Sequence, residues 1–467
     1  MNRKSLNHLV CLVLVVVMVM TMLLGCVSQT TTTAGTTTAA TTTSAGTTAA
    51  TTTSGGTTAA TTGTTAAPVK EVKIGFLWPL TGGSATIGQQ HNDGALMAIE
   101  EINANGGIKS LGGAKIVPII ADTETKPDVG SSQTERLILK ENVCMVVGAY
   151  NSAVCFPASE VAQRYKTPWL NMGGVKNEIT TRGYEWVFRP NNMNDYDIRE
   201  MVDGIKLLAQ ESGQEVKTYA VVYESTDWGQ DAAKVFKAEA DKLGWQLVLD
   251  EPVTTGQADM NAQVLKIKKA NPDVLNTSFY TPEMIVFSKA LAANKVNPKF
   301  GHWTVGGGAQ DPAYFKAVDK SIYEYMFVQE DWDVGGPERY AWIKEIADKI
   351  AATKNYKINS FFAQGWTAAY LAYRAIEAAG STDKEAIRKG LLSLDIKRED
   401  QTRDLMTGYL RMKFVTEGNV TNQNIYSSGT IIQYQKGVPV ALAPAENRLP
   451  GAKAVFPIPD DWDTRGK

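Results

Sequence analysis

Side chains able to do acid–base or covalent chemistry are sparse in this sequence. Beyond residue 26 it holds two histidines, His91 and His302, and two cysteines, Cys144 and Cys155. No GxSxG elbow, HExxH helix or GxxxxGK[ST] phosphate loop occurs. Ser381-Thr382-Asp383-Lys384 has the SxxK spacing of serine acyl-enzymes. Thr382 with Glu385 reads instead as a capping box that opens a helix, and no partner motif follows. His91 falls just inside a helix start, where a solvated or capping role is expected. His302 is expected to be buried and hydrogen-bonded, or to touch a ligand. With no CxxC and no His/Cys cluster, neither a metal nor a cofactor is expected, and the chain reads as a non-enzyme.

What remains is the chemistry of anchoring and of binding. Arg3 and Lys4 precede an apolar run from Leu9 to Leu24, interrupted by Thr21 and closed by Leu23-Leu24-Gly25-Cys26. The run is short for a bilayer span, which needs about 20 apolar residues, and suits a signal peptide. Its end resembles a bacterial lipobox, so residues 1–25 are expected to be removed and Cys26 to carry the lipid. Two or more acyl chains hold a protein stably on a membrane. The mature chain is therefore expected on the extracytoplasmic face of the cell membrane.

Residues 27–67 are almost wholly Thr, Ala, Gly and Ser. They bring too little apolar surface to offset their ordering entropy, so 26–68 read as a flexible tether spanning roughly 35 Å root-mean-square. Its threonines could carry O-linked sugars. The full chain has 47 Lys and Arg against 49 Asp and Glu, a net charge of −2. Losing Arg3 and Lys4 takes two positive charges from that and leaves about −4, with no basic block. Nucleic acid is not an expected partner.

From Val69 onward short apolar strands alternate with amphipathic helices, the mark of βαβ units and parallel sheets. Strands are expected at 71–77, 115–121, 144–148 and 169–172. A second set is expected at 218–223, 246–251, 274–278, 300–304 and 325–328. Residues 337–392 read as helical, and strands return at 409–414 and 430–434. Pro127 is placed to start a helix and Gly380 to end one. Cys144 opens a strand and Cys155 lies past its end. At about 3.3 Å per residue the two are too far apart for a disulfide, so two buried thiols are expected.

The residues that carry a family resemblance run in order along this stretch. They begin with Ile74-Gly75-Phe76, Pro79-Leu80-Thr81-Gly82 and Gly88, followed by the run from Glu101 to Ile108. Val146-Val147-Gly148 comes next, with Ser152 and Pro157-Ala158. Thr180-Thr181-Arg182-Gly183-Tyr184 then leads to Val187-Phe188-Arg189. Together they resemble the branched-chain amino acid (leucine/isoleucine/valine) binding proteins, substrate-binding lipoproteins of ABC transporters with the class I periplasmic binding fold. The resemblance implies two Rossmann-like α/β lobes with parallel-rich sheets and a three-segment hinge. It places residues 69–190 and 335–399 in the first lobe, and 191–334 and 400–467 in the second. Hinge segments fall near Asn191, Val334 and Asp400.

The resemblance also implies a ligand site. Ser152 matches the family's serine, between a strand end and a helix start, where a hydroxyl and free amides hold a carboxylate. The plainer reading of Ser152 is a helix N-cap, and the two are compatible. Gly173 and Gly174 match the family's second backbone-donor turn. Trp228 and Tyr280 match family aromatics. Trp78, Tyr150, Trp303 and Thr304 also fall near expected strand ends, where open α/β sheets bind ligands.

This sequence departs from the family at the group that should meet an α-ammonium. No acid follows the strand in Phe300-Gly301-His302-Trp303-Thr304-Val305-Gly306-Gly307, and Val175 replaces the family's threonine. Asp227, Glu283 and Asp311 are the nearby alternatives. The ligand expected on this ground is an aromatic or short aliphatic carboxylate, or an amide, rather than a simple α-amino acid. The expected role, taken over the whole class, is capture of a small molecule (an amino acid, an aromatic or aliphatic carboxylate, or an amide) by a monomer and delivery to ABC transporter permease subunits. Sensing by a lipoprotein that reports to a receptor is the alternative, and a purely structural surface protein is a more distant one.

Overall fold

A computed structural model describes residues 69–465 except Asn355 and Gln401. The signal peptide, Cys26 and the tether lie outside the described residues. β1 (Glu71–Trp78) is an inner strand of a five-stranded parallel sheet. β2 (Lys115–Asp122) pairs on one side of it and β3 (Val146–Gly148) on the other. β4 (Trp169–Leu170) and β5 (Val187–Phe188) extend the sheet in order. Helices cover both faces, as a sheet made of βαβ crossovers requires.

On one face, helices Ala85–Ala104 and Ser360–Ala379 bury Ile99, Ile102, Trp366 and Ile376 over Ile74 and Phe76. These two helices cross in backbone contact. A Cβ on Gly94 would meet the Phe362 carbonyl oxygen at 2.1 Å, and one on Gly365 would meet that of His91 at 2.0 Å. Helices Pro127–Leu139 and Ser152–Arg164 close the other face around Leu77, Val146 and Val187.

The second sheet has seven strands. β6 (Thr218–Glu224), β7 (Gln246–Val253), β8 (Val274–Ser278), β9 (His302–Val305) and β10 (Phe327–Glu330) are parallel, in the order β10-β9-β8-β6-β7. A short antiparallel set, β11 (Asp395–Lys397), β12 (Arg411–Glu417) and β13 (Val420–Asn424), forms a third sheet. β14 (Thr430–Gln435) and β15 (Val438–Ala443) then add antiparallel to the β10 edge of the second sheet.

Expected elements and observed ones differ where local pattern and packing disagree. Leu405, Met406, Tyr409, Met412 and Phe414 belong to the first core, with Phe414 edge-on to Phe188 at 5.1 Å. The chain's last passage to the second sheet therefore falls after Asn424, not near Asp400. The helix after Gly380 is capped by Asp383, which accepts from the Ala386 amide at 2.9 Å, rather than by Thr382. Gly380 does end its helix in the left-handed conformation, at φ 54°. Cys144 precedes β3 instead of opening it, and both thiols are free and buried, which pushes each up to about 12. No helix among the described residues is long and apolar enough to cross a membrane.

Candidate functional site

The carboxyl ends of both sheets face one cavity. From the first sheet, the turn after β3 brings Tyr150 and Ser152, and the turn after β4 brings Gly173. From the second, Trp228 opens the helix after β6, Tyr280 caps the helix after β8, and Gly306 and Gly307 follow β9. Phe361 enters from the first turn of the late helix Ser360–Ala379.

Four rings form one contiguous apolar wall drawn from both sheets. Tyr280 lies 4.7 Å from Trp228 and 5.8 Å from Tyr150, and Tyr150 lies 5.6 Å from Phe361. Gly307, at φ 64°, leaves the space that Trp228 fills: a Cβ there would sit 2.6 Å from Trp228 Cη2.

Ser152 is the first residue of its helix, and the cap position belongs to Asn151. The Ser152 hydroxyl oxygen accepts from the amides of Val175 and Lys176, both at 3.2 Å. A hydroxyl has two lone pairs and one proton. With both lone pairs engaged, its proton is free for an acceptor in the cavity. The neighbouring amides of the helix's first turn favour the same kind of acceptor.

The structure places the other residues that the sequence pointed to in two groups. Tyr150, Ser152, Gly173, Trp228 and Tyr280 do converge on the cavity, whereas Gly174, Trp78, Trp303 and Thr304 stand behind it. Trp78 is fully buried and stacks on His91 at 4.8 Å. Trp303 stacks on Phe327 at 4.0 Å in the second core and donates to the Phe300 carbonyl. Thr304 is fully buried on the strand itself, and Gly174 packs on Cys155. Position near a strand end is not enough, because alternate residues of a strand point into opposite layers. His91 is not solvated: its ring bonds Ile87 and Gln364, and burial lowers it to about 4. His302 bonds Thr277 at 2.7 Å outside the cavity.

The acid looked for after β9 is absent there, and none of its three nearby alternatives lines the cavity. Asp227 pairs with Lys176 at 2.9 Å, Glu283 accepts from the Gly256 amide, and Asp311 accepts from Thr86 and Thr281. Thr86 belongs to the first sheet's helix and Asp311 follows the second sheet, so these contacts hold the two halves closed. Carboxylates reach the cavity from elsewhere, through Asp197 and Asp331. Asp197 lies early in the helix Asn194–Glu211, and Asp331 directly follows β10. The cleft is therefore not free of acid, and the ground for excluding an amine-bearing ligand falls. Sequence alone did not single these two out, since both read as ordinary acids beside a connection.

Burial pushes Asp331 up to about 6 and the half-buried Glu200 beside it up to about 8. In the unfolded chain Glu200 titrates near 4.5. Between those values the fold holds a proton the unfolded chain has released. The resulting stability is full below the lower value and lost as pH rises through the upper one. His91 and His302, lowered by burial to about 4 and about 3 from 6.5, act oppositely and only below 6.5. Unfolding free energy is thus expected to rise by about 1–2 kcal/mol from pH 8.5 to 6.5. Urea titrations across that range check this, and Glu200→Gln should reduce the rise.

Comparison with known proteins places this geometry. The profile described as periplasmic binding protein matches residues 71–427. A Leu/Ile/Val-binding protein homolog 7 of Brucella abortus (strain 2308) is 27% identical over 399 residues, covering 82% of this chain and 96% of its own. The branched-chain amino acid transporter substrate-binding protein LivJ of Streptococcus pneumoniae, solved with isoleucine, superposes with a TM-score of 0.67 at 18% identity. The match covers 80% of this chain and all of that one. A solute-binding protein of an ABC transporter from R. palustris, solved with benzoate, gives 0.64 at 17% identity, over 80% and 95% of the two chains. Two sheet-bearing α/β lobes with parallel-rich sheets are the fold these comparisons share. The chain belongs to the periplasmic binding protein family, in its class I fold.

Proposed function

We propose that this protein captures a small organic solute between its lobes and delivers it to the permease subunits of an ABC importer, held at the outer face of the membrane through Cys26. The observation that carries this reading is the Ser152 hydroxyl, both lone pairs taken, with its proton free beside a wall of four rings. A carboxylate or carbonyl of the solute accepts from Ser152 and the helix amides. Its apolar body packs on Trp228, Tyr280, Tyr150 and Phe361, where aromatic faces cover apolar surface at little entropic cost. Both kinds of solute named for the similar structures, branched amino acids and benzoates, have this plan.

A thermal-shift screen of the full chain in detergent tests it, covering amino acids, aromatic and aliphatic carboxylates, and amides. A solute at 100 times its dissociation constant stabilises the folded form by about 2.7 kcal/mol, so a true ligand is expected to raise the Tm by several degrees. No shift with any compound of these classes would refute the reading.

A further inference from the structure

The hinge end of the cavity carries more negative charge than its partners balance. Gln329 Nε2 has two protons, yet three carboxylates converge on it: Asp197 at 3.0 Å, Glu200 at 3.4 Å and Asp331 at 3.5 Å. Gln364 and Asn192 each add one bond to Asp331, at 3.2 and 3.5 Å, Asn192 also bonds Asp197, and the Gly429 amide bonds Glu200 at 2.8 Å, all of them neutral donors. Glu330, Asp203 and Tyr409 also face the cluster, and all add negative charge when ionised. Arg189 acts on Asp197 from a distance, but its guanidinium protons are committed to Gln423, Thr180 and the carbonyls of Gly174 and Lys176.

A second, separate observation points into the same space. Asn191 lines the cavity, is 1% exposed, and neither its side-chain oxygen nor its nitrogen has a partner. Buried polar groups left unpaired are costly, and a ligand group is a common remedy.

We infer that this end of the cavity is a cation subsite, taking a protonated amine or amidine nitrogen of the solute between Asp331, Asp197 and the side-chain oxygen of Asn191, and that filling it expels a proton shared by the three carboxylates. The inference rests on the solute-binding reading above and deepens it. It moves the cation-binding position from the loop after β9, which has glycines, to the hinge. Asn191 stands on the first chain crossing, Asp331 on the second, and Gly429 next to the third. A cation bound there is therefore read directly by the segments on which the lobes turn. The proton leaves to buffer, which a burial-raised Glu200 and Asp331 make available near neutral pH.

Isothermal titration of the full chain in detergent tests this with matched pairs: leucine and 4-methylpentanoate, phenylalanine and 3-phenylpropanoate, 4-amidinobenzoate and benzoate. For at least one pair the nitrogen-bearing member should bind about 100-fold more tightly. It should release up to about one proton, read from buffers of different ionisation enthalpy. Asp331→Asn, and separately Asp197→Asn, should abolish both the preference and the proton release. Should one variant fail to fold, the other still decides, as does wild-type affinity for the nitrogen-bearing member. That affinity should weaken as pH falls from about 8 through about 6, where Glu200 and then Asp331 protonate. Equal or tighter binding of the nitrogen-free members would overturn the subsite while leaving the solute-binding reading intact. Binding of neither member of any pair, together with no shift in the wider screen above, would overturn both.

Discussion

Arg189→Leu is expected to lower the unfolding free energy by about 3–5 kcal/mol, the largest stability loss of any single change considered for this chain. The side chain is fully buried at the end of β5. Nε donates to Gln423 Oε1 at 2.6 Å, Nη1 to the Lys176 carbonyl at 2.8 Å and the Gly174 carbonyl at 3.3 Å, and Nη2 to Thr180. Burial lowers the guanidinium to about 10, which still leaves it charged at neutral pH. Leucine would fill part of the volume but strand the Lys176 carbonyl and take one bond each from the Gly174 carbonyl, Thr180 and Gln423, which keep Asn171 and each other as partners. Lysine would recover only a fraction, since a single ammonium cannot reach a forked set of acceptors. Urea unfolding should show a lower midpoint with an unchanged slope; a loss under about 1 kcal/mol would refute the hub role. The Gly174 and Lys176 carbonyls belong to the loop that supplies Ser152 with its two amides. Ligand affinity should therefore fall even where the variant is folded.

Trp228→Ala is expected to weaken solute binding by about 100-fold, the effect of removing a central aromatic from a dry contact. The indole is 5% exposed, packs on Tyr280 at 4.7 Å, and occupies the space left by Gly307. Its removal opens the apolar wall to water and leaves Tyr280 without its neighbour. Trp228→Phe keeps a ring in place and should cost about tenfold or less. Titration calorimetry with whichever solute the screen identifies measures both. Equal losses for Ala and Phe would point to the indole N–H rather than the ring face.

Much of this was readable from residue order. The strand–helix alternation followed from apolar runs with period 2 next to runs with period 3.6, and Pro127 and Gly380 marked helix ends through their own backbone limits. Ser152, Tyr150, Gly173, Trp228 and Tyr280 were legible because a turn after a parallel strand must open on the sheet's carboxyl edge. Trp78, Trp303 and Thr304 were misplaced for a local reason. They lie at the same edge, but their side chains project into the layers above and below the sheet. Helices from distant parts of the chain cover those layers. His91 was misjudged likewise, because the helix that buries it begins at Ser360.

The residues that sequence reading passed over share one property: contacts far along the chain define them. Asp197, Gln329 and Asp331 are separated by up to 134 positions, and Glu200 meets Gly429 across 229. Nothing local distinguishes such acids from solvated ones. Strand period, turn chemistry and helix caps act over a few residues, so composition and order alone determined the two-sheet architecture, the polarity of its edges and half of the site. Charge balance, hydrogen-bond satisfaction and the course of the last crossing depend on which surfaces meet. The missing acid in the glycine loop after β9 was plain in the sequence; only the tertiary structure decided that the hinge would gather three.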